Sequence, residues 1–309
     1  TRVASPDKDE SEFGNKVIGA LPLTSAEQVA RAMNLCCAEE PLDVVCPTRS
    51  DRRNSKRVVN HSWKGPLTRD RTLALGNGIE VCRMPAVFSQ LATDLDEVSL
   101  AQIAGEMAGN YVIDLGEEEG MVGDLAPLVT ISELRGYAES ARALNVRGAA
   151  RACRSLDLAL PNSNSPRETD ISIFMMQPRV QGGVDLRGFE MNVPIKLPAS
   201  LAEKLDKKVI IPDYTWPNGT ILEYDSKREH FSPEERARDE LKRRAYQAVG
   251  MDCLTLTKGI LRNNNEVDLF FAELERSLGL RRRAPNDRML ESRKLLRARL
   301  FGKEVKADS

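Results

Sequence analysis

Two short stretches constrain this chain more than anything else in it. Ser165-Pro166-Arg167-Glu168 and Ser232-Pro233-Glu234-Glu235 each place a hydroxyl at a helix N-cap, proline at the first helical position and glutamate at the third. Serine can accept a bond from an orphan N–H of the first turn, and proline gives up no bond because its missing N–H would be unpaired there anyway. Each stretch therefore predicts a helix start, the first running to about Met176 and the second to about Val249, with Gly250 where a left-handed C′ residue belongs. Three strand-like runs lie between the two starts: Gly188–Ile195, Lys208–Trp216 and Thr220–Ser226. Asn218-Gly219 separates the last two, a strong hairpin signal. Met251–Thr257 is a final apolar run. The predicted order is helix, three strands, helix, strand.

Upstream, the pattern predicts a smaller α+β unit. Thr24-Ser25-Ala26-Glu27 opens a helix, Leu42–Val45 and Lys56–Trp63 read as strands joined by a basic loop, and Ile79–Cys82 is a third short strand. Pro85–Leu95 and Glu97–Tyr111 read as helices, and residues 126–160 as an Ala/Leu-rich helical pair. Pro161-Asn162-Ser163-Asn164 has the composition of a boundary. The expected organisation is a mobile terminus over 1–16, an N-terminal domain over 17–160, a second domain over 161–280 and a basic tail over 281–309.

The densest cluster of chemically capable side chains lies on the predicted hairpin. Alternate strand residues share a face, so Glu223, Asp225 and Lys227 project together, and Asp213 can reach the same point across the hairpin. Carboxylates that converge repel one another unless a cation lies between them, and an all-oxygen donor set favours Mg²⁺ or Mn²⁺ over Zn²⁺. Two acids flanking Tyr224 in an apolar strand are costly to bury unless paired or metal-bound. Each residue also has a plain structural role open to it. Asp213 can start a turn, Lys227 can be a strand-end lysine in water, and Glu168 is explained by its cap.

The order of elements around Pro212-Asp213…Asp225-Ser226-Lys227 resembles the PD-(D/E)XK nuclease superfamily. Asp213…Glu223-Tyr224-Asp225…His230, followed by Arg238-Asp239 and Gly250, is similar to the very-short-patch-repair endonuclease-like proteins of bacteria. The resemblance spans about residues 163–259, and the N-terminal extension is weakly similar to antitoxin-like regulators. It implies a restriction-endonuclease-like αβββαβ domain that hydrolyses DNA phosphodiester bonds with Mg²⁺ or Mn²⁺. Two registers stay open: Asp213 and Asp225 with Lys227, or Asp213, Glu223 and Asp225 with His230 handling protons. The resemblance also places Glu168, on the first helix, near the metal. Ser226 stands where those proteins usually carry glycine, and their zinc-binding cysteines are not evident, so mismatch specificity is not implied. The alternative is a catalytically inactive DNA-binding or antitoxin-like regulator that keeps the fold.

Charge distribution bears on the partner. The 309 residues carry 45 Lys+Arg against 46 Asp+Glu, and this near-cancellation hides local extremes. Residues 49–71 hold 8 Lys/Arg against 2 Asp, net +6, and include Arg52, Arg53, Lys56 and Arg57 with Trp63 interleaved. Residues 281–309 hold 10 against 4, again +6, and begin with Arg281, Arg282 and Arg283. Such patches can neutralise phosphates, which supplies most sequence-independent affinity for nucleic acid. DNA is the expected partner, with RNA or a second protein as alternatives. Residues 85–125 hold 9 acids and no Lys or Arg, a face unsuited to DNA. His61, on the basic strand, is assigned no catalytic role. No apolar run approaches the ~18 residues that span a bilayer. Six cysteines without a CxxC fit a reducing cytoplasm rather than a disulfide framework.

Overall fold

The computed structural model describes residues 42–46, 58–67, 71–76, 79–225 and 233–302. The chain is mixed α/β and divides into two compact units, one of residues 1–95 and 133–153, the other of 96–132 and 154–309. No helix among the described residues is long and apolar enough to cross a membrane. The helix expected at Thr24–Glu27 lies outside them.

In the first unit, β1 (Leu42–Cys46) and β2 (Val58–Ser62) pair in parallel, Leu42 opposite Val58. A second pair, β3 (Thr72–Gly76) and β4 (Ile79–Cys82), is antiparallel with a register shift between Ala74 and Gly76. Helix α1 (Met84–Leu91) follows; α2 (Glu97–Met107), hairpin β5–β6 (Val112–Ile113, Met121–Val122), α3 (Ile131–Ala143) and α4 (Ala149–Ser155) continue the chain. This unit's core gathers Trp63, Ala86, Tyr137, Ala141, Val146 and Ala149. Trp63 Nε1 donates to the Tyr137 hydroxyl at 3.1 Å, and that hydroxyl donates to the Pro66 carbonyl at 2.8 Å.

In the second unit, α5 (Pro166–Met176) starts where the Ser165 cap predicts. The Ser165 hydroxyl accepts from Glu168 N at 3.2 Å and donates to Glu168 Oε1 at 2.9 Å. Then come β7 (Glu190–Met191), β8 (Ile195–Lys196), α6 (Ala199–Leu205), β9 (Val209–Ile210), β10 (Tyr214–Thr215), β11 (Thr220–Asp225), α7 (Pro233–Ala248) and β12 (Asp252–Thr257). The main sheet has the order β12-β11-β10-β7, antiparallel from β7 to β11 and parallel between β11 and β12. Hairpin β8–β9 stands apart from it. The turn between β10 and β11 has three residues, Pro217-Asn218-Gly219, closed by Trp216 N to Thr220 O at 2.9 Å. Gly219 takes φ 87°, and Asn218 Oδ1 accepts from Thr220 N at 3.1 Å. Glycine suits that left-handed position because it has no Cβ to crowd the carbonyl.

Strand alternation sorts the side chains as the pleat demands. Tyr214, Leu222, Leu254 and Leu256 join the larger core with Ile171 and Phe174 of α5 and with α9 (Asn264–Ser277) and α10 (Asp287–Phe301). A short helix, α8 (Lys258–Arg262), precedes α9. Ile221 and Cys253, on the opposite face, pack with Ala245 and Tyr246 of α7.

The expected strands Gly188–Ile195 and Lys208–Trp216 are each broken, the first into β7 and β8 and the second into β9 and β10, with α6 between β8 and β9. Two further segments also differ from the sequence pattern. The break expected near residue 161 is not where the compact units part, because α2 packs on α5. Gly105 lets Thr169 approach so closely that a Cβ would lie 2.5 Å from Thr169 Cγ2, and Gln102 Nε2 donates to Asp170 Oδ1 at 2.7 Å. The stretch expected as a basic tail includes α10, which buries Leu296, Leu300 and Phe301. It also buries Arg293, which pairs with Asp268 at 2.6 Å, and Arg297, bonded to Asn264 and to the Leu261 carbonyl. Its arginines satisfy polar groups of α8 and α9, so Lys/Arg density does not mark a solvated segment here.

Candidate functional site

The site is assembled from four elements of the second unit: the start of α5, the loop after β7, hairpin β10–β11, and α7. Tyr214 pairs with Leu222 in antiparallel register, so Asp213, the residue before β10, comes opposite Glu223 of β11. Asp213 Oδ2 accepts from Tyr224 N at 2.7 Å, which holds the carboxyl along β11. Glu223 lies on the face that meets α7. There Lys242 Nζ stands 2.9 Å from its carboxylate and the Tyr246 hydroxyl donates to Oε1. Lys242 and Tyr246 are four residues apart on one helix, hence on one side of it.

Glu168 reaches the same region from the first turn of α5. Its carboxylate accepts from Asn164 N at 2.9 Å, from the Ser165 hydroxyl, and from Asn192 Nδ2 at 2.8 Å. Asn192, at φ 54°, also donates its N–H to the Asp213 carbonyl at 3.1 Å. Tyr214, fully buried, donates its hydroxyl to the Glu168 carbonyl at 2.8 Å. The first helix turn is thereby tied to β10 and to the loop after β7.

Burial pushes the Asp213 carboxyl up to about 8, and the charges of Glu223 and Glu168 push the same way; Tyr224 N and the Lys242 ammonium pull against them. Burial also raises Glu168, with Glu223 adding to it, against the bonds from Asn164, Asn192 and Ser165. Burial, then Glu223, raises the Tyr246 hydroxyl, which therefore stays a neutral donor. Three acids crowd one ammonium; fully ionised they would leave an excess of negative charge, and burial answers it by keeping the proton on Asp213.

A divalent cation would offset the charge of these acids once they ionise. Its donors would be the oxygens of Asp213 and Glu223, hard ligands suited to Mg²⁺ or Mn²⁺. Among the described residues, no group of three or more His, Cys, Asp or Glu is placed to hold a metal on its own. Two carboxylates, with remaining positions left to water and substrate oxygens, are the usual provision for Mg²⁺.

The structure places Asp213, Glu223 and Glu168 within one another's fields. Asp225 is the last residue of β11, half-buried and opposite Thr257 in register. Lys227 and His230 lie outside the described residues, as do Arg52, Arg53, Lys56 and Arg57. Arg281 is exposed. Arg282 is turned inward and donates to the Val184 and Asp185 carbonyls at 2.7 Å each, and Arg283 accepts at its carbonyl from Arg179 at 2.8 Å. His61 stays on the surface of the first unit, its Nε2 2.6 Å from Asp43.

Sequence reasoning missed Lys242, Tyr246 and Asn192. A signal for the first two was present: Leu241, Ala245 and Tyr246 lie at helical spacing on α7, and Lys242 falls one turn before Tyr246. Asn192 had no comparable signal, since only the fold brings it between Glu168 and Asp213. No protein-family model matches the chain, and neither a curated protein nor a solved structure matches it.

Proposed function

We propose that the second unit is a divalent-cation-dependent phosphodiesterase of the PD-(D/E)XK type that hydrolyses DNA, in a cytoplasmic protein. The observation that supports this reading is the register that brings Asp213 opposite Glu223 across hairpin β10–β11, with Glu168 near enough to act on Asp213, in a buried and acid-crowded setting. In chain order β7, β10 and β11 lie between α5 and α7, with β8, α6 and β9 inserted after β7, and β12 follows α7 and runs parallel to β11. This order is compatible with the αβββαβ order that the resemblance implies.

Asp213 and Glu223 hold the cation. When bound, it polarises the scissile phosphate and lowers the pKa of a water. The Tyr224 N–H fixes the Asp213 carboxyl, Tyr246 fixes Glu223, and Asn192 joins Glu168 to the Asp213 backbone. The Arg281 and Arg283 surface and the basic segment around Arg52, Arg53, Lys56 and Arg57 provide contacts to the phosphate backbone.

A second reading, a non-cleaving DNA-binding or antitoxin-like regulator on the same scaffold, is favoured by one feature. Lys242 and Tyr246 already satisfy Glu223, so the pair is complete without a metal. Supercoiled plasmid incubated with Mg²⁺ or Mn²⁺ separates the two. The nuclease reading expects nicking by the native chain and none by Asp213→Ala. Equal nicking by both chains would defeat it, and a salt-sensitive gel shift without cleavage would favour the regulator.

A further inference from the structure

We infer that Lys242 is a built-in placeholder for the divalent cation: its ammonium occupies Glu223 while the site is empty of metal and must leave before the metal enters, whereas Tyr246 holds Glu223 in both states. This rests on the cation-binding reading of the site and adds to it a mode of regulation, self-occlusion by a lysine of the chain itself.

The two residues of α7 that grip Glu223 differ in the ways such an exchange requires. Lys242 carries a charge that a metal would replace. Its side chain is 38% exposed against 14% for Glu223, so the ammonium lies at the rim with water beside it and four rotatable bonds to move on. Tyr246 is 1% exposed and packs with Ile221 and Ala245 in the smaller core, so its hydroxyl cannot follow. A phenol donor is neutral, and a carboxylate offers about four lone-pair sites, so Tyr246 and a metal can share Glu223. Two cations cannot share it comfortably, because their repulsion in a half-buried site exceeds that in water. In this same pose Lys242 Nζ lies 5.7 Å from the centre of the Tyr246 ring, within reach of a cation–π contact.

Lys242 therefore makes the metal-free protein more stable and the metal weaker-binding than the two acids alone would allow. The native chain would load only where the cation is abundant or where an anionic substrate adds ligands of its own.

Calorimetric titration of Mn²⁺ into the full-length chain without nucleic acid, at fixed ionic strength, tests this. Lys242→Met should tighten binding by about tenfold, corresponding to ~1.4 kcal/mol, and Lys242→Arg should stay within about threefold of native. Tyr246→Phe should weaken binding, since Glu223 loses its fixed donor. Asp213→Ala should abolish it. Thermal unfolding adds a second readout: Lys242→Met should melt below the native chain in EDTA and gain more than the native chain from saturating Mn²⁺. If the native chain binds Mn²⁺ through Asp213 but Lys242→Met binds equally or more weakly, the placeholder role is wrong and the site reading stands. If the native chain shows no Asp213-dependent binding, both fall.

Discussion

Replacing Asp213 by asparagine should stabilise the protein at alkaline pH while removing its cation response. The side chains have nearly the same size, and the asparagine Oδ1 can accept from Tyr224 N in place of the carboxylate oxygen that does so now. What changes is charge. The Asp213 carboxyl has an ordinary value of 3.8 and is pushed up to about 8 in the folded chain, by burial first and then by Glu223 and Glu168. A group that holds its proton more tightly when folded contributes stability that is fully present below pH 3.8 and is lost as pH rises to about 8. Within that window each pH unit removes up to ~1.4 kcal/mol, which sets a ceiling of ~6 kcal/mol. Relaxation around the charged form reduces this to the order of 2–4 kcal/mol. Asp213→Asn has no such slope. In EDTA, urea unfolding should therefore show the variant drawing ahead of the native chain by about 2–4 kcal/mol between pH 5 and pH 8.5, with no further separation above that. Saturating Mn²⁺ should narrow or reverse the gap, because only the native chain gains from it. Parallel pH profiles in EDTA, or a native chain that gains on the variant as pH rises, would refute the account of Asp213 as a buried, charge-crowded acid.

Two further outcomes test the surrounding packing. Tyr137→Phe removes the hydroxyl that accepts from Trp63 Nε1 and donates to the Pro66 carbonyl, leaving one buried and one half-buried group without that partner; it should cost about 1–3 kcal/mol in chemical denaturation. Gly105→Val puts atoms where Thr169 already stands, and Thr169 is held by its bonds to Tyr111 and Ser163 at 2.9 Å each. It should separate α2 from α5 and lower the melting temperature by several degrees, despite removing a helix glycine.

Short-range signals carried far into this protein. The Ser165 cap, the glycine after Asn218 and the alternation of Ile221, Leu222 and Glu223 each act within a few residues, through one hydrogen bond, one permitted φ or one pleat. They survive in the structure wherever it describes them. Glu223 drew attention for the same reason, as an acid in an apolar strand where an acid needs explaining, whereas Glu168 was explained by its cap and only the resemblance pointed to it. The assignment of α2 to the second unit was not legible. It depends on Gly105 meeting Thr169, 64 positions away in a chain that first passes through α3 and α4. The burial of α10 was hidden as well, because Arg293 and Arg297 read as solvated charge until Asp268 and the Leu261 carbonyl are seen beside them.

By itself, then, the amino-acid order determined where α5 and α7 begin, where the chain turns between β10 and β11, and that Ile221 and Glu223 share a face of β11. Only the tertiary structure decided what surrounds the acids of the site. Lys242, Tyr246 and Asn192 come from two other elements, and their convergence on Glu223 and Glu168 follows from α7 crossing the sheet and from the loop after β7 turning beneath Asp213. Periodicity records which way a side chain leaves its own element. It holds no record of what a second element, folded back from dozens of residues away, will place opposite it.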